Sequence, residues 1–279
     1  MKKSYFAPRV LVYSGLIVYG VISLFPLIWM LITAMKSGRY LFKLPPNLIP
    51  DLLVSGIPFY NFSSVLEKPD FLVAVGNSLL VATLAALGQL ITCSLAGFVF
   101  VNLRNRLFLI IYFALLATMF FPTEVTLIPE FLMFRQFGWL DSLLPLIVPS
   151  FFVGAFGTLM MTEFFKSVPL ELEESALIDG AGPWDIFRQI YLSLGRPALA
   201  SLFVVAFIHN WDEVLRPVIF NSSKDVRTLP QFLLDFVGEY DSQWPLLLAG
   251  SFLATLPLMV IYIGAQRWVV EGFTRSGIK

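Results

Sequence analysis

Between Arg9 and Lys36 the chain carries no charged side chain. A run of that length exceeds the about 20 apolar residues that a helix needs to cross the hydrocarbon core of a bilayer. It is also too long for the apolar segment of a cleaved signal peptide, although Met1-Lys2-Lys3 gives it a positive start, so it reads as a retained helix. The same pattern recurs at 71–99, 107–131, 142–165, 197–220 and 246–269, with the first run at 10–35. Pro26, Pro122 and Pro257 interrupt three of these stretches, which membrane bundles tolerate where neighbours satisfy the freed backbone groups. The composition agrees: 57% of residues are hydrophobic and 14% charged, against about 25% charged in a soluble domain. Too little polar side chain remains to cover a water-soluble globule. The predicted fold is an all-α polytopic membrane protein with six transmembrane helices.

Charge and rare residues exclude several functions. Lys plus Arg and Asp plus Glu are both 19, a formal net charge of +0, so nothing favours binding to nucleic acid. One cysteine, Cys93, allows neither an internal disulfide nor a thiolate metal cage. One histidine, His209, leaves little material for acid–base chemistry and no metal site.

Short-loop charge orients the chain. The N-terminal tail carries Lys2, Lys3 and Arg9 without an acid, and the turn after the second span carries Arg104 and Arg106. The segment after the third span sets Arg135 against Glu124, Glu130 and Asp141. By the positive-inside rule both termini are cytoplasmic. The predicted layout is a cytoplasmic tail at 1–9, a first span at 10–35 and an outer segment at 36–70. A five-span core follows at 71–269, with an inner loop at about 167–196, and then a cytoplasmic tail at 270–279. Within the core, 123–141 and 221–245 face outward and 100–106 inward. The outer segment, with Pro45-Pro46, Pro50 and Tyr60-Asn61-Phe62, reads as irregular chain with a short amphipathic piece. Small residues in Ser94-Leu95-Ala96-Gly97 and Gly154-Ala155-Phe156-Gly157 permit close helix approach.

The densest polar island runs from Ser167 to Pro183. Pro169 suits a helix start, and Glu171, Glu173 and Glu174 complement the dipole of the first turn. Leu170, Leu177 and Ile178 share one face, Gly180, Gly182 and Pro183 end the helix, and a second short helix covers about Trp184 to Leu194. Such a hairpin either docks on another protein or lies flat on the membrane with its leucines inward, and the residues alone leave both readings open.

Glu174-Ser175-Ala176, then Gly180, then Ile190 and Leu192 carry the spacing of the EAA loop of ATP-binding-cassette importer permeases: Glu-Ala-Ala, three residues, Gly, nine residues, Ile-x-Leu-Pro. The chain resembles the MalG-like, binding-protein-dependent permeases of the carbohydrate-uptake branch. The likeness includes Phe25-Pro26-Leu27-Ile28-Trp29-Met30, Asn77-Ser78-Leu79, Pro122-Thr123-Glu124-Val125-Thr126-Leu127-Ile128-Pro129, Asn210-Trp211-Asp212-Glu213, Arg227-Thr228-Leu229-Pro230 and Glu271-Gly272-Phe273-Thr274. Two positions depart from the motif: Ser175 replaces Ala, small for small, and Ser193 replaces Pro, leaving Pro197 to help end the helix.

The resemblance implies a mechanism. The loop would be a coupling helix seated in a groove of a separate ATPase, through Glu174, Ser175, Ala176, Asp179, Gly180, Ala181 and Gly182. Glu174 would anchor to an Arg or backbone amide there, and Gly180 would allow a sharp turn and close approach. No lysine follows a glycine anywhere in the chain, so it lacks a phosphate-binding loop and is not the enzyme. ATP and Mg would be held by the partner ATPase, and this chain would carry no cofactor. Implied partners are a second homologous permease, an ATPase dimer, an extracytoplasmic solute-binding protein meeting 221–245, a sugar-like solute and membrane lipid.

Polar groups at membrane depth mark candidate solute contacts. Asn210, Trp211 and Asp212 combine a stacking face with hydroxyl-binding groups, and Glu124 lies near the outer end of the third span. Consecutive helical residues point about 100° apart, so few of them can line one path. The alternative is an interfacial Trp211 with Asp212 or Glu213 in an internal helix–helix ion pair. In the maltose system of this branch the sugar site lies in the partner permease. A proton-coupled secondary transporter needs carboxylates mid-span, and an intramembrane hydrolase needs a Ser–His or paired-Asp site at depth; neither pattern is present.

Overall fold

The computed structural model describes residues 6–41, 48–103, 105–238 and 242–276. The expectations for Lys2, Lys3, Pro45-Pro46 and Arg104 lie outside them, and the side chains of Arg9 and of 271–274 are not described. Every element among the described residues is helical. Those used below are α1 (Phe6–Ala34), α2 (Tyr60–Leu66), α3 (Pro69–Asn102), α4 (Arg106–Ala117), α5 (Leu127–Gln136) and α6 (Ala155–Phe165). They continue with α7 (Leu170–Ile178), α8 (Pro183–Leu194), α9 (Arg196–Trp211), α10 (Leu215–Phe220) and α11 (Trp244–Ser276).

Four runs are long and apolar enough to cross a membrane: Val12–Ala34, Pro69–Asn102, Leu144–Phe165 and Trp244–Trp268, the third with a non-helical break at Phe152–Gly154. Two further pairs qualify only as bent spans, Arg106–Phe120 with Thr123–Gln136 at 96°, and Pro183–Leu194 with Arg196–Trp211 at 76°. The count of six therefore holds only if each bent pair is one span. The stretch 107–131 is not one helix, because Phe121 leaves the helical region and Pro122 has no N–H to continue the ladder. The stretch 197–220 breaks at Asp212–Val214, where Pro217 cannot donate to the carbonyl of Glu213. The Glu213 carboxylate instead takes the N–H groups of Leu215 and Arg216, at 2.9 and 3.3 Å, and starts a new helix.

The chain forms two compact units, Met1–Phe71 with Leu233–Leu256, and Leu72–Phe232 with Pro257–Lys279. In the first, α2 supplies the amphipathic piece, burying Asn61, Phe62 and Val65. The Asn61 amide donates to the carbonyls of Ala34 and Lys36 at 2.7 and 2.9 Å, satisfying acceptors that the end of α1 leaves open. Phe62 meets Phe252 edge-on at 5.9 Å, and the Lys36 ammonium lies 5.3 Å from the centroid of the Trp29 ring.

In the second unit α3, α6 and α9 form the core. The two small-residue segments belong to one contact: a Cβ at Gly97 would lie 2.9 Å from Met161 Cβ and 3.1 Å from the Thr162 backbone nitrogen. A Cβ at Gly157 would lie 2.7 Å from Cys93 Sγ and 3.1 Å from Leu202. These glycines let the helices approach at backbone distance, as small residues do in membrane bundles. With 34 residues α3 reaches ~51 Å at 1.5 Å per residue, longer than the ~30 Å hydrocarbon core. Near its start the Asn77 amide donates to the carbonyls of Asp225 and Arg227 at 2.8 and 2.9 Å, and Ser78 Oγ accepts the Leu229 N–H at 2.7 Å. Two sequence motifs about 150 residues apart thus hold each other.

Candidate functional site

Two polar constructions stand at opposite ends of α6 and α9. One is the hairpin of α7 and α8. Pro169 caps α7 in an extended conformation, the helix ends at Ile178, and Gly180 turns the chain at φ +83°. Pro183 then opens α8, where a lacking N–H costs nothing. The Ala181 N–H returns to the Ala176 carbonyl at 2.9 Å and closes the turn. No residue of α7 is buried, and Leu170, Leu177, Ile178 and Trp184 are exposed, Ile178 to 87%. Glu174, Ser175, Asp179 and Gly180 are exposed, while Ala176, Ala181 and Gly182 are half-buried. Leu172, Ser175, Ala176 and Asp179 face Gln189, Ile190 and Ser193 across an open groove of about 390 Å³. The sequence-selected residues therefore lie together on one hairpin.

The hairpin is fastened by residues the motif did not single out. Tyr191, 2% exposed, donates its hydroxyl to Glu173 Oε2 at 2.7 Å, tying α8 to α7. Its ring packs on Phe98 of α3 at 5.0 Å and on Phe165 of α6 at 5.2 Å. Residues Phe187–Tyr191 form a π turn, a local widening often found at functional sites. Where the motif has Pro, Ser193 continues α8, and the stop falls on Gly195. A Cβ there would lie 2.6 Å from the Tyr191 carbonyl oxygen and 3.0 Å from the Phe165 ring. A glycine two residues before Pro197 was the available signal for this break.

The second construction is a cleft of about 220 Å³ lined among others by Gln89, Glu130, His209, Asn210, Glu213 and Arg216. Arg216 of α10 grips Glu130 of α5 with both arms, Nε to Oε2 at 3.0 Å and Nη2 to Oε1 at 3.2 Å. Its third contact is Glu213 Oε2 at 3.3 Å, and Thr126 donates to Glu130 Oε1 at 2.6 Å. Of the four path candidates only Asn210 lines the cleft, with its amide on the Ala206 carbonyl at 2.8 Å. Trp211 faces the core, 2% exposed and stacked on Phe207 at 5.7 Å, so its indole is neither on the cleft wall nor at the interface. The 100° step between neighbours that aims Asn210 at the cleft turns Trp211 inward. Asp212 and Glu124 are exposed and lie off the cleft wall. Glu213 pairs with Arg216 within its own segment, and it is Glu130, not Asp212 or Glu213, that makes the helix-to-helix ion pair. That arginine stands three residues after Glu213 and was the missed signal, since i,i+3 pairs face each other.

Beside the cleft, Asp141 binds the start of the 221–245 segment. At φ 59° it occupies the left-handed region, which Asp tolerates, and its N–H donates to the Phe220 carbonyl at 2.8 Å. Its Oδ1 accepts the N–H groups of Ser222 and Ser223 at 2.9 and 2.7 Å, and the Ser223 hydroxyl at 2.9 Å. The Ser223 N–H, then the Ser222 N–H, hold this carboxyl below its ordinary range.

The profile of the family described as binding-protein-dependent transport system inner membrane component matches residues 88–275. The chain is 29% identical over 269 residues to the lactose transport system permease protein LacG of Rhizobium radiobacter, covering 96% of each. It is 31% identical over 258 residues to the diacetylchitobiose uptake system permease protein DasC of Streptomyces coelicolor, covering 91% of each. A chain from the crystal structure of a bacterial ABC transporter involved in the import of the acidic polysaccharide alginate has the same fold. Its TM-score is 0.77 at 22% identity, over 96% of this chain and 99% of that one.

Proposed function

Because the chain belongs to the family of binding-protein-dependent transport system inner membrane components, we propose that it forms half of the path by which an ATP-driven importer carries a saccharide inward. It is a multi-pass inner-membrane permease and not the ATPase. A lactose permease and a diacetylchitobiose permease among its relatives favour a saccharide as its solute. The other half of the path is a second homologous permease, a solute-binding protein delivers the solute against 221–245, and both termini are cytoplasmic.

The observation that carries the reading is the hairpin. It exposes Leu170, Leu177, Ile178 and Trp184 alongside its carboxylates, while its root is held by Tyr191 between Phe98 and Phe165. A helix of nine residues is not stable alone in water, so one that exposes such side chains calls for a partner. The partner is a separate ATPase dimer that holds ATP and Mg. Glu174, Ser175, Ala176, Asp179, Gly180, Ala181 and Gly182 enter its groove. Closure of the ATPases moves the hairpin as one body, and Tyr191 passes that displacement to α3 and α6. At 16 residues, α9 carries it ~24 Å further, to the cleft where His209 and Asn210 meet the Glu130–Arg216–Glu213 cluster. Asn210, on the wall of that cleft, supplies an amide suited to sugar hydroxyls as the solute passes.

The test is a pull-down of this chain from its native membrane, followed by ATPase assays with and without candidate sugars. Recovery of a second permease and an ATPase, with stimulation by a saccharide, is expected. Recovery of the chain alone would sink the assembly. Glu174→Ala is expected to lower the ATPase-to-permease ratio after detergent purification; an unchanged ratio removes Glu174 as the anchor.

A further inference from the structure

Beside the root of the hairpin, the end of α3, the start of α4 and the end of α6 enclose a second pocket, of about 600 Å³. Most of its wall is apolar, from Phe100 and Val101 on α3 to Phe108 and Leu109 on α4. Two cations stand at its rim. Arg106 opens α4, and its side chain makes no hydrogen bond or ion pair with another described residue. Lys166 follows α6 and is shared with Glu163 at 2.7 Å, both side chains about half exposed. The positive end of the α4 dipole adds to them. Deeper along α4 Tyr112 is 9% exposed, and its hydroxyl has no hydrogen-bond partner. The Thr162 hydroxyl on the facing wall donates to the Thr158 carbonyl at 2.7 Å.

We propose that this pocket binds one anionic phospholipid, its phosphate on Arg106 and Lys166 and an acyl chain along Phe108 and Leu109. Cations at a helix-lined opening on the membrane surface suit an anionic headgroup. The apolar wall continues onto lipid-facing α4, where Leu107, Ile110 and Phe113 are exposed. A protein helix laid over the pocket would bury Arg106 without a counter-charge, which is unfavourable, whereas a phosphodiester accepts its guanidinium in a paired geometry. Free phosphate would satisfy the cations but leave the apolar wall open. The lipid would brace the junction of α3, α4 and α6 on which Tyr191 rests, making transport sensitive to membrane charge. The inference requires only that the chain spans a membrane, and is independent of the solute.

The complete complex, purified with its own partners, is placed in nanodiscs of phosphatidylcholine with or without phosphatidylglycerol, and retained lipid is counted by native mass spectrometry. One phosphatidylglycerol per copy of this chain is expected to survive delipidation. Arg106→Gln with Lys166→Gln is expected to lower that retention roughly tenfold, with Arg106→Lys alone intermediate, since lysine keeps the charge but not the paired geometry. Unchanged retention in the double variant, or release of the lipid by inorganic phosphate alone, overturns the proposal. If the double variant fails to assemble, Arg106→Gln alone decides: reduced retention supports the site, and unchanged retention overturns it. Cys93 is buried, so Leu109→Cys places the reactive thiol in the pocket. Crosslinking to lipid supports the proposal, and crosslinking to a protein subunit overturns it.

Discussion

Gly180 holds a positive φ of +83° with open space where a Cβ would stand. Its own fold therefore needs the backbone freedom and not the missing side chain. Alanine there is expected to cost about 1 kcal/mol of local strain. Aspartate tolerates that region, as Asp141 does in this chain. Gly180→Asp is therefore expected to accumulate in the membrane at wild-type level, yet to lose ATPase retention and uptake. Loss of the protein itself, seen on immunoblots, would place the defect in folding instead. Asp141 gives a prediction in pH. Its carboxyl is held below its ordinary 3.8 by hydrogen bonds present in the fold, so its contribution is complete above that value. That contribution falls away as the pH drops through the lower, folded-state value. Proteolytic protection of the 221–226 segment is expected to decline with acid only below pH 3.8, and Asp141→Asn to show little protection at any pH. A decline centred nearer neutrality would implicate another group.

At the scale of elements, the proposed coupling asks how a short hairpin would move long helices. The Tyr191–Glu173 hydrogen bond joins α7 to α8, and the Tyr191 ring joins both to α3 and α6. Tyr191→Phe removes the first link and keeps the second. A hydrogen bond to a charged group is worth about 1.5–3 kcal/mol, less here because Glu173 is half-exposed. The variant is expected to keep its spans, shown by unchanged thermal stability, while solute-stimulated ATPase activity falls several-fold. Equal stimulation would mean that the hairpin needs no internal tie. The α3–α6 contact makes the opposite prediction. Gly97→Leu drives a side chain into the Met161 and Thr162 backbone, and overpacking of this kind costs about 1–3 kcal/mol or more. The melting temperature of the purified complex is expected to fall before any change in coupling appears; an unchanged value would show that the helices can part at no cost.

At the scale of the whole molecule, the proposed mechanism has this permease transmit force from one end to the other. The Glu130–Arg216–Glu213 cluster ties α5 to the broken end of the α9–α10 segment, beside the cleft. Arg216→Met leaves two carboxylates facing each other without their shared cation, at about 1–3 kcal/mol for partly buried groups. Basal ATPase activity is expected to persist in that variant while stimulation by the delivered solute is lost, and retained stimulation would remove the cluster from the transport cycle. How much of this was legible in the sequence depended on range. Apolar runs announce helices because a backbone in lipid must satisfy its own hydrogen bonds, so the fold class followed from the stretches between the charges. The helical hairpin was equally legible, because Pro169, Gly180, Gly182 and Pro183 act on φ and ψ within a few residues. The inward turn of Trp211 and the long-range partners of Tyr191 and Arg216 were not. Arg216 and Glu130 stand 86 positions apart and Tyr191 meets three different helices, so only packing in three dimensions brought them together. The sequence by itself determined what each segment could be, through local backbone chemistry and the cost of burying charge. The tertiary structure alone decided which side chain faces the cleft and which the core, because that choice depends on helix rotation set by distant neighbours.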